Sequence, residues 1–218
     1  MWRLLPIVLV VLSCSAVPEN FHSRSSPGIE DRNFKRIAIF PLDTFLGEEK
    51  TKVPFSPAIS TNGKGEKGAA TILSHQLYSA MTALPSWQII SDHEVRGVEP
   101  LIPKGSPESR ARRLGQLVYA DAVISGRVIR FREREGEALG AQNPASVAFV
   151  LELYDVKRGD LVWSGRFDET QRALSENLLD LGAFTKRGGR WLKAEELALE
   201  GVKRAVNELH QTLYRKST

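Results

Sequence analysis

The sequence predicts an α/β (α+β) fold, a mixed β-sheet flanked by helices in the order β-α-β-α-β-β-β-α-α, within a single domain. Three observations predict it. Between residues 36 and 118, short apolar runs closed by proline or polar residues alternate with apolar stripes at helical spacing. From 121 to 170, three strand-like segments follow one another with no helical stripe between them, which calls for an antiparallel meander. The chain has 218 residues, 42% hydrophobic and 26% charged, enough for one core of moderate size.

The first strand is read at Arg36 to Leu42, a short apolar run closed by Pro41 and expected to be buried on both faces. A long loop follows, residues 43 to 67, with Pro54, Pro57, Gly47, Gly63 and Gly65 and no sustained periodicity. Ala69, Leu73, Leu77, Met81 and Leu84 then recur at helical spacing until Pro85 ends the pattern. Trp87 to Ser91 gives the second strand. Ser106-Pro107-Glu108 opens a helix with a cap residue, a first-turn proline and an early acid, and its core face is Ala111, Leu114, Leu117 and Val118. The third strand runs from Asp121 to Phe131. In the fourth, Val147, Phe149, Leu151 and Leu153 share a face; the fifth, Leu161 to Thr170, follows the turn Lys157 to Asp160. A short helix from Ser175 carries Leu178, Leu179, Leu181 and Phe184. A terminal helix sets Leu197, Val202, Ala205, Val206, Leu209 and Leu213 on one side.

The amino terminus speaks to compartment. Met1-Trp2-Arg3 is a short basic start, and Leu4 to Leu12 is apolar apart from Pro6, too short for a bilayer that needs about 20 residues. Read as a signal peptide, residues 1 to 13 end at Ser13, and the one cysteine of the protein, Cys14, follows a small residue where a lipobox places its acylated thiol. Its solitude excludes an internal disulfide and any zinc site built on several thiolates. Removing residues 1 to 13 takes Arg3 and no acid, leaving 29 basic against 26 acidic residues. With the two signs mixed along the chain, this describes a soluble surface and no nucleic-acid footprint. Residues 14 to 35, rich in Ser, Pro and Asn, read as the lipidated cysteine and a flexible tether, with the periplasmic domain at 36 to 218.

A search for chemistry finds little. Gly63-Lys64-Gly65-Glu66-Lys67-Gly68 has the spacing of a dinucleotide fingerprint, but the glycines should make the turn directly after the first strand, and about twenty residues intervene. His22, His75, His93 and His210 form no metal-ligand spacing, no nucleophile elbow is present, and the aspartates fall at strand ends and turns. The expectation is no cofactor, no metal and no catalytic residue. Arg127, Arg130, Arg132 and Arg134 cluster on the third strand and its turn, where they would meet an acidic partner or an anionic glycan; the interleaved Glu133, Glu135 and Glu137 equally suit a solvated strand end. Lys186, Arg187 and Arg190 form a second cluster. Trp191, beside two glycines and among charges, reads with Arg190 as a partner, oligomer or membrane-surface contact.

The lipobox, the opening strand Arg36 to Leu42, Ala120 to Gly126, and Leu151 to Asp155 through Gly159 to Ser164 resemble a group of envelope lipoproteins. That group includes the Pel polysaccharide export lipoprotein PelC, the penicillin-binding-protein activator LpoB and the periplasmic domain of the curli secretion lipoprotein CsgG. The resemblance implies a non-catalytic α/β domain held by lipid at the outer membrane and facing the periplasm. Its partners would be envelope proteins or further copies of itself, in an assembly or export scaffold for polysaccharide or protein. The alternative it implies is a monomeric activator of a peptidoglycan synthase. No pair of long amphipathic hairpins is available for a transmembrane barrel.

Overall fold

The computed structural model describes residues 20–44, 68–137, 140–171 and 190–214. Its centre is a seven-stranded mixed sheet in the order β1-β9-β8-β5-β2-β4, with β3 also pairing β5. The strands are β1 (Phe21–Ser25), β2 (Arg36–Ile39), β3 (Asp43–Thr44), β4 (Gln88–Ile89), β5 (Ala122–Arg132), β8 (Ser146–Asp155) and β9 (Leu161–Thr170). A separate ribbon pairs β6 (Glu135–Glu137) with β7 (Gly140–Asn143). β2 runs parallel to β4 and β5, whereas β5, β8, β9 and β1 are successively antiparallel. The architecture is the α+β single domain that the sequence predicts.

Alternation along the strands decides which helix covers which face. In β2, Ile37 and Ile39 face α1 (Ala69–Thr82) and α4 (Ala194–Leu213), while Ala38, and Phe40 just past the strand, face the opposite way, toward α2 (Asp92–Val98) and α3 (Pro107–Leu117). β8 is buried at all ten positions, with Val147, Phe149, Leu151 and Leu153 in the larger core and Tyr154 in the smaller. Phe149 and Phe167 stack across β8 and β9 with ring centroids 5.3 Å apart. Gly201 of α4 allows that stack: a Cβ there would stand 2.6 Å from Phe167.

Several elements differ from expectation. Within residues 14 to 35, read as a flexible tether, Phe21–Ser25 forms an edge strand on β9, and Ile29–Arg32 makes a 3-10 turn. Phe21, Ile29 and Phe34 are all buried. One apolar residue in Phe21-His22-Ser23-Arg24-Ser25 is too few to show a period, and the strand exists because β9 has an edge to offer. Helix α2 is a further difference: Ser91, expected to end a strand, accepts the Glu94 backbone N–H on its hydroxyl and caps a helix instead. The first strand ends at Ile39, with Phe40 still bonded to the Ile124 carbonyl. Cys14, most of the 43–67 loop and the helix read from Ser175 lie outside the described residues.

Candidate functional site

β5, β8 and β9, at ten or eleven residues, extend past α2 and α3, so part of the second face, with the short β1 at its edge, carries no described helix. Strand register arranges its side chains in rows. Arg24, Ser164, Glu152 and Ser125 form one; His22, Arg166, Val150, Arg127 and Asp43 the next; Asp168, Ala148 and Arg130 a third; Thr170, Ser146 and Arg132 a fourth. Five arginines thus share the face with three carboxylates. Its floor is the small apolar cluster Ile129, Ala148 and Val150, all buried.

Asp168 is the centre of this lattice. Its two carboxylate oxygens accept from Arg130 Nη2 and, at 2.6 Å, from Arg166 Nη2. Arg130 Nε donates to the Ser146 hydroxyl at 2.6 Å, which in turn shares a hydrogen bond with Thr170 Oγ1. Burial alone would raise the Asp168 pKa, but the Arg166 and Arg130 hydrogen bonds outweigh it and hold the carboxyl below its ordinary value near 3.8. A depressed carboxyl stabilises the fold above its ordinary pKa and loses that contribution as pH falls through the folded value. Unfolding in urea should therefore show stability declining as the solution is acidified below about pH 4, less steeply in Asp168→Asn, which should also cost about 1–2 kcal/mol at neutral pH.

At the top of this face, where β2 ends beside the start of α3, lies a cleft of about 80 Å³ lined by Phe40, Asp43, Arg110, Arg127, Ser125 and Glu152. The Arg110 guanidinium stands 4.7 Å over the Phe40 ring. The volume suits a few waters or a small ion and falls below the ~300–1,000 Å³ of ordinary small-molecule sites. Glu152, 4% exposed, accepts the Tyr154 hydroxyl at 2.8 Å. Burial first, then the Glu152 carboxylate, push the Tyr154 pKa far up, so the phenol stays a neutral donor. Ser86 Oγ and His210 Nε2 also meet at 3.0 Å, but the ring is wedged between Trp87 and Tyr214, and the pair fastens the start of β4 to α4. Among the described residues no group of three His, Cys, Asp or Glu could hold a metal ion.

The arginines singled out from the sequence separate here. Arg130 belongs to the Asp168 lattice and Arg132 is exposed on the same face, whereas Arg134 donates to the Trp191 carbonyl on the side where α4 begins. A bulge between Val128 and Arg130 shifts the side-chain parity, which is what puts Arg127 and Arg130, three residues apart, on one face. Arg24 and Arg166 were missed, since only strand register brings them there. Trp191, read as a presented aromatic, is 5% exposed and packed within the chain; Leu192 beside it joins the main core. Arg190 spends its guanidinium on both oxygens of Glu196, at 2.7 and 2.9 Å. That pair, with the Lys193 backbone N–H, holds the Glu196 pKa down to about 2. The start of α4 should consequently keep its hydrogen–deuterium exchange protection on acidification to about pH 4 and lose it as pH falls toward 2.

No protein family and no curated protein matches the sequence. Solved structures do. The chain is similar to the PelC dodecamer from Paraburkholderia phytofirmans, with 16% identity over 87% of this chain and 95% of that one, at a TM-score of 0.45. It is similar to the LpoB C-terminal domain from Escherichia coli, with 14% identity over 64% and 85% of the two chains and a TM-score of 0.41. A third similar structure is the lipoprotein GNA1162 from Neisseria meningitidis, with 14% identity, 70% and 96% coverage and a TM-score of 0.39. PelC and LpoB are two of the proteins that the sequence resembles.

Proposed function

We propose that this chain is an envelope lipoprotein, acylated on Cys14, held at the outer membrane with its domain facing the periplasm, and acting as a non-catalytic assembly or export-scaffold component for polysaccharide or protein. The observation that carries the reading is the placement of the chain's one cysteine directly after a basic start, an apolar run and Ser13. The site is in keeping with a binding role: its polar groups are tied to one another across neighbouring strands, and its cleft is too small for an ordinary substrate.

The second reading, a monomeric activator of a peptidoglycan synthase, needs reach. Asn20 already pairs with β9 through its carbonyl, which accepts the Asp168 N–H at 2.9 Å, so only six peptide steps separate Cys14 from the folded domain. Fully extended they span about 20 Å. That favours a component working close to its membrane. The native mass of the detergent-solubilised, lipidated protein tests the choice: a discrete higher oligomer is expected of the scaffold, and a clean monomer would move the assignment to the activator.

A further inference from the structure

We propose that the cleft where β2 ends beside α3 binds the head of a free α-amino acid, its ammonium held at Glu152 and Asp43 and its carboxylate at Arg127 and Arg110. The inference goes beyond the proposed function and does not depend on the Cys14 anchor.

Three observations carry it. The first is charge of both signs around one small space. The polar side chains lining the cleft are Asp43, Arg110, Ser125, Arg127 and Glu152. Two carboxylates repel a simple anion, and two guanidinium groups repel a simple cation. A ligand that suits both carries a cationic donor and an anionic acceptor a few bonds apart, as an α-amino acid does.

The second is that these opposite charges do not satisfy each other. Arg127 pairs with Val150 across β5 and β8, which makes Glu152 its diagonal neighbour, at a spacing of about 7–8 Å that long side chains can bridge. Among the described residues, however, the Arg127 and Arg110 guanidinium groups enter no hydrogen bond or ion pair, and Arg110 lies over the Phe40 ring. Arg32, Arg130, Arg166 and Arg190, by contrast, each pair with a carboxylate. Glu152 is 4% exposed, and its one hydrogen bond comes from the Tyr154 hydroxyl onto Oε2, so Oε1 accepts from no described residue. A carboxylate this deeply buried ordinarily takes further donors, and an ammonium group supplies three.

The third is size and place. The cleft measures about 80 Å³. A cavity of about 150 Å³ holds benzene, so this one has room for on the order of four non-hydrogen atoms. That matches the ammonium, α-carbon and carboxylate of an amino acid with its side chain left outside, and glycine and alanine should therefore bind alike. The position is the carboxyl end of β2, between the stretch where β2 pairs with β5 and the stretch where β3 does. Crevices beyond the carboxyl ends of parallel strands are where sheets of this kind take their ligands.

The test is saturation-transfer NMR on the full-length protein with glycine as the probe. Saturating the protein's aromatic protons should give a transfer signal on the glycine methylene, and excess L-alanine should remove it. Acetate and methylammonium, each carrying one of the two charges, should bind at least about tenfold more weakly than glycine. Glu152→Gln, whose amide oxygen still accepts the Tyr154 hydroxyl, and Arg127→Gln should each weaken glycine binding by at least about tenfold, while Arg132→Gln, exposed on the same face outside the cleft, should leave it unchanged. Urea midpoints without ligand show whether each variant is folded; where one is not, the comparison of the three probes on the wild-type chain decides. No transfer to glycine, or transfer that survives both cleft substitutions, would overturn the site. So would acetate or methylammonium binding as tightly as glycine, which would make the cleft a site for a single ion. The readout needs no membrane, so loss of the anchor leaves it unaffected.

Discussion

Phe21→Ala is expected to cost about 3 kcal/mol, the low end for emptying a phenylalanine site in a core, and to strip hydrogen-exchange protection from residues 21–25 before the rest of the sheet opens. Phe21 is 6% exposed, pairs with Phe167 in register, lies under the Arg204 guanidinium at 5.7 Å and closes over Gly165, where a Cβ would stand 2.9 Å from its ring. It is the one large apolar anchor in β1, so its loss undocks an edge strand whose remaining side chains are polar or exposed. Freed to Ser26, the span from Cys14 doubles, from six peptide steps to twelve. Urea unfolding gives the energy and exchange gives its location; protection of 21–25 equal to wild type would show that backbone pairing alone holds β1.

Arg32→Ala should destabilise by about 3 kcal/mol, with Arg32→Lys recovering only part. Arg32 reaches from the 3-10 turn to Asp155 and Asp160 at the two ends of the β8–β9 turn, and the Arg32 and Asp155 side chains are 10% and 6% exposed. Removing the cation leaves a carboxylate buried with the Arg158 N–H, 3.0 Å from its other oxygen, as remaining support. Asp155→Asn in the Arg32→Ala background should restore part of the loss, because a neutral amide is cheaper to bury than an unpaired charge. Additive losses in the double variant would mean the pair is not coupled. Both experiments address the same point, that residues 20–34 belong to the folded domain.

The central sheet was legible because apolar period is a local property. Val147, Phe149, Leu151 and Leu153 on β8, the Ile37–Phe40 run and the α4 stripe from Leu197 to Leu213 each declare their partner face within a few residues. β1 was not legible: its pairing energy resides in β9, and a strand with one buried side chain has no period to read. Trp191 failed as a presented aromatic for the converse reason, since glycines and charges beside it said nothing of the pocket that the chain builds around it. The arginine face was half legible. Arg127, Arg130 and Arg132 are close in sequence, but the bulge after Val128 decides their parity, and Arg24 and Arg166 join them only through cross-strand register.

The anchor at Cys14 is the claim on which the functional account stands, and metabolic labelling with palmitate tests it most directly. The account expects label in the full-length protein, flotation of that protein with membranes, and loss of both in Cys14→Ala, whose domain should still fold because residues 20–34 supply their own contacts. Palmitate incorporated in Cys14→Ala, or absent from the wild-type chain, would contradict it.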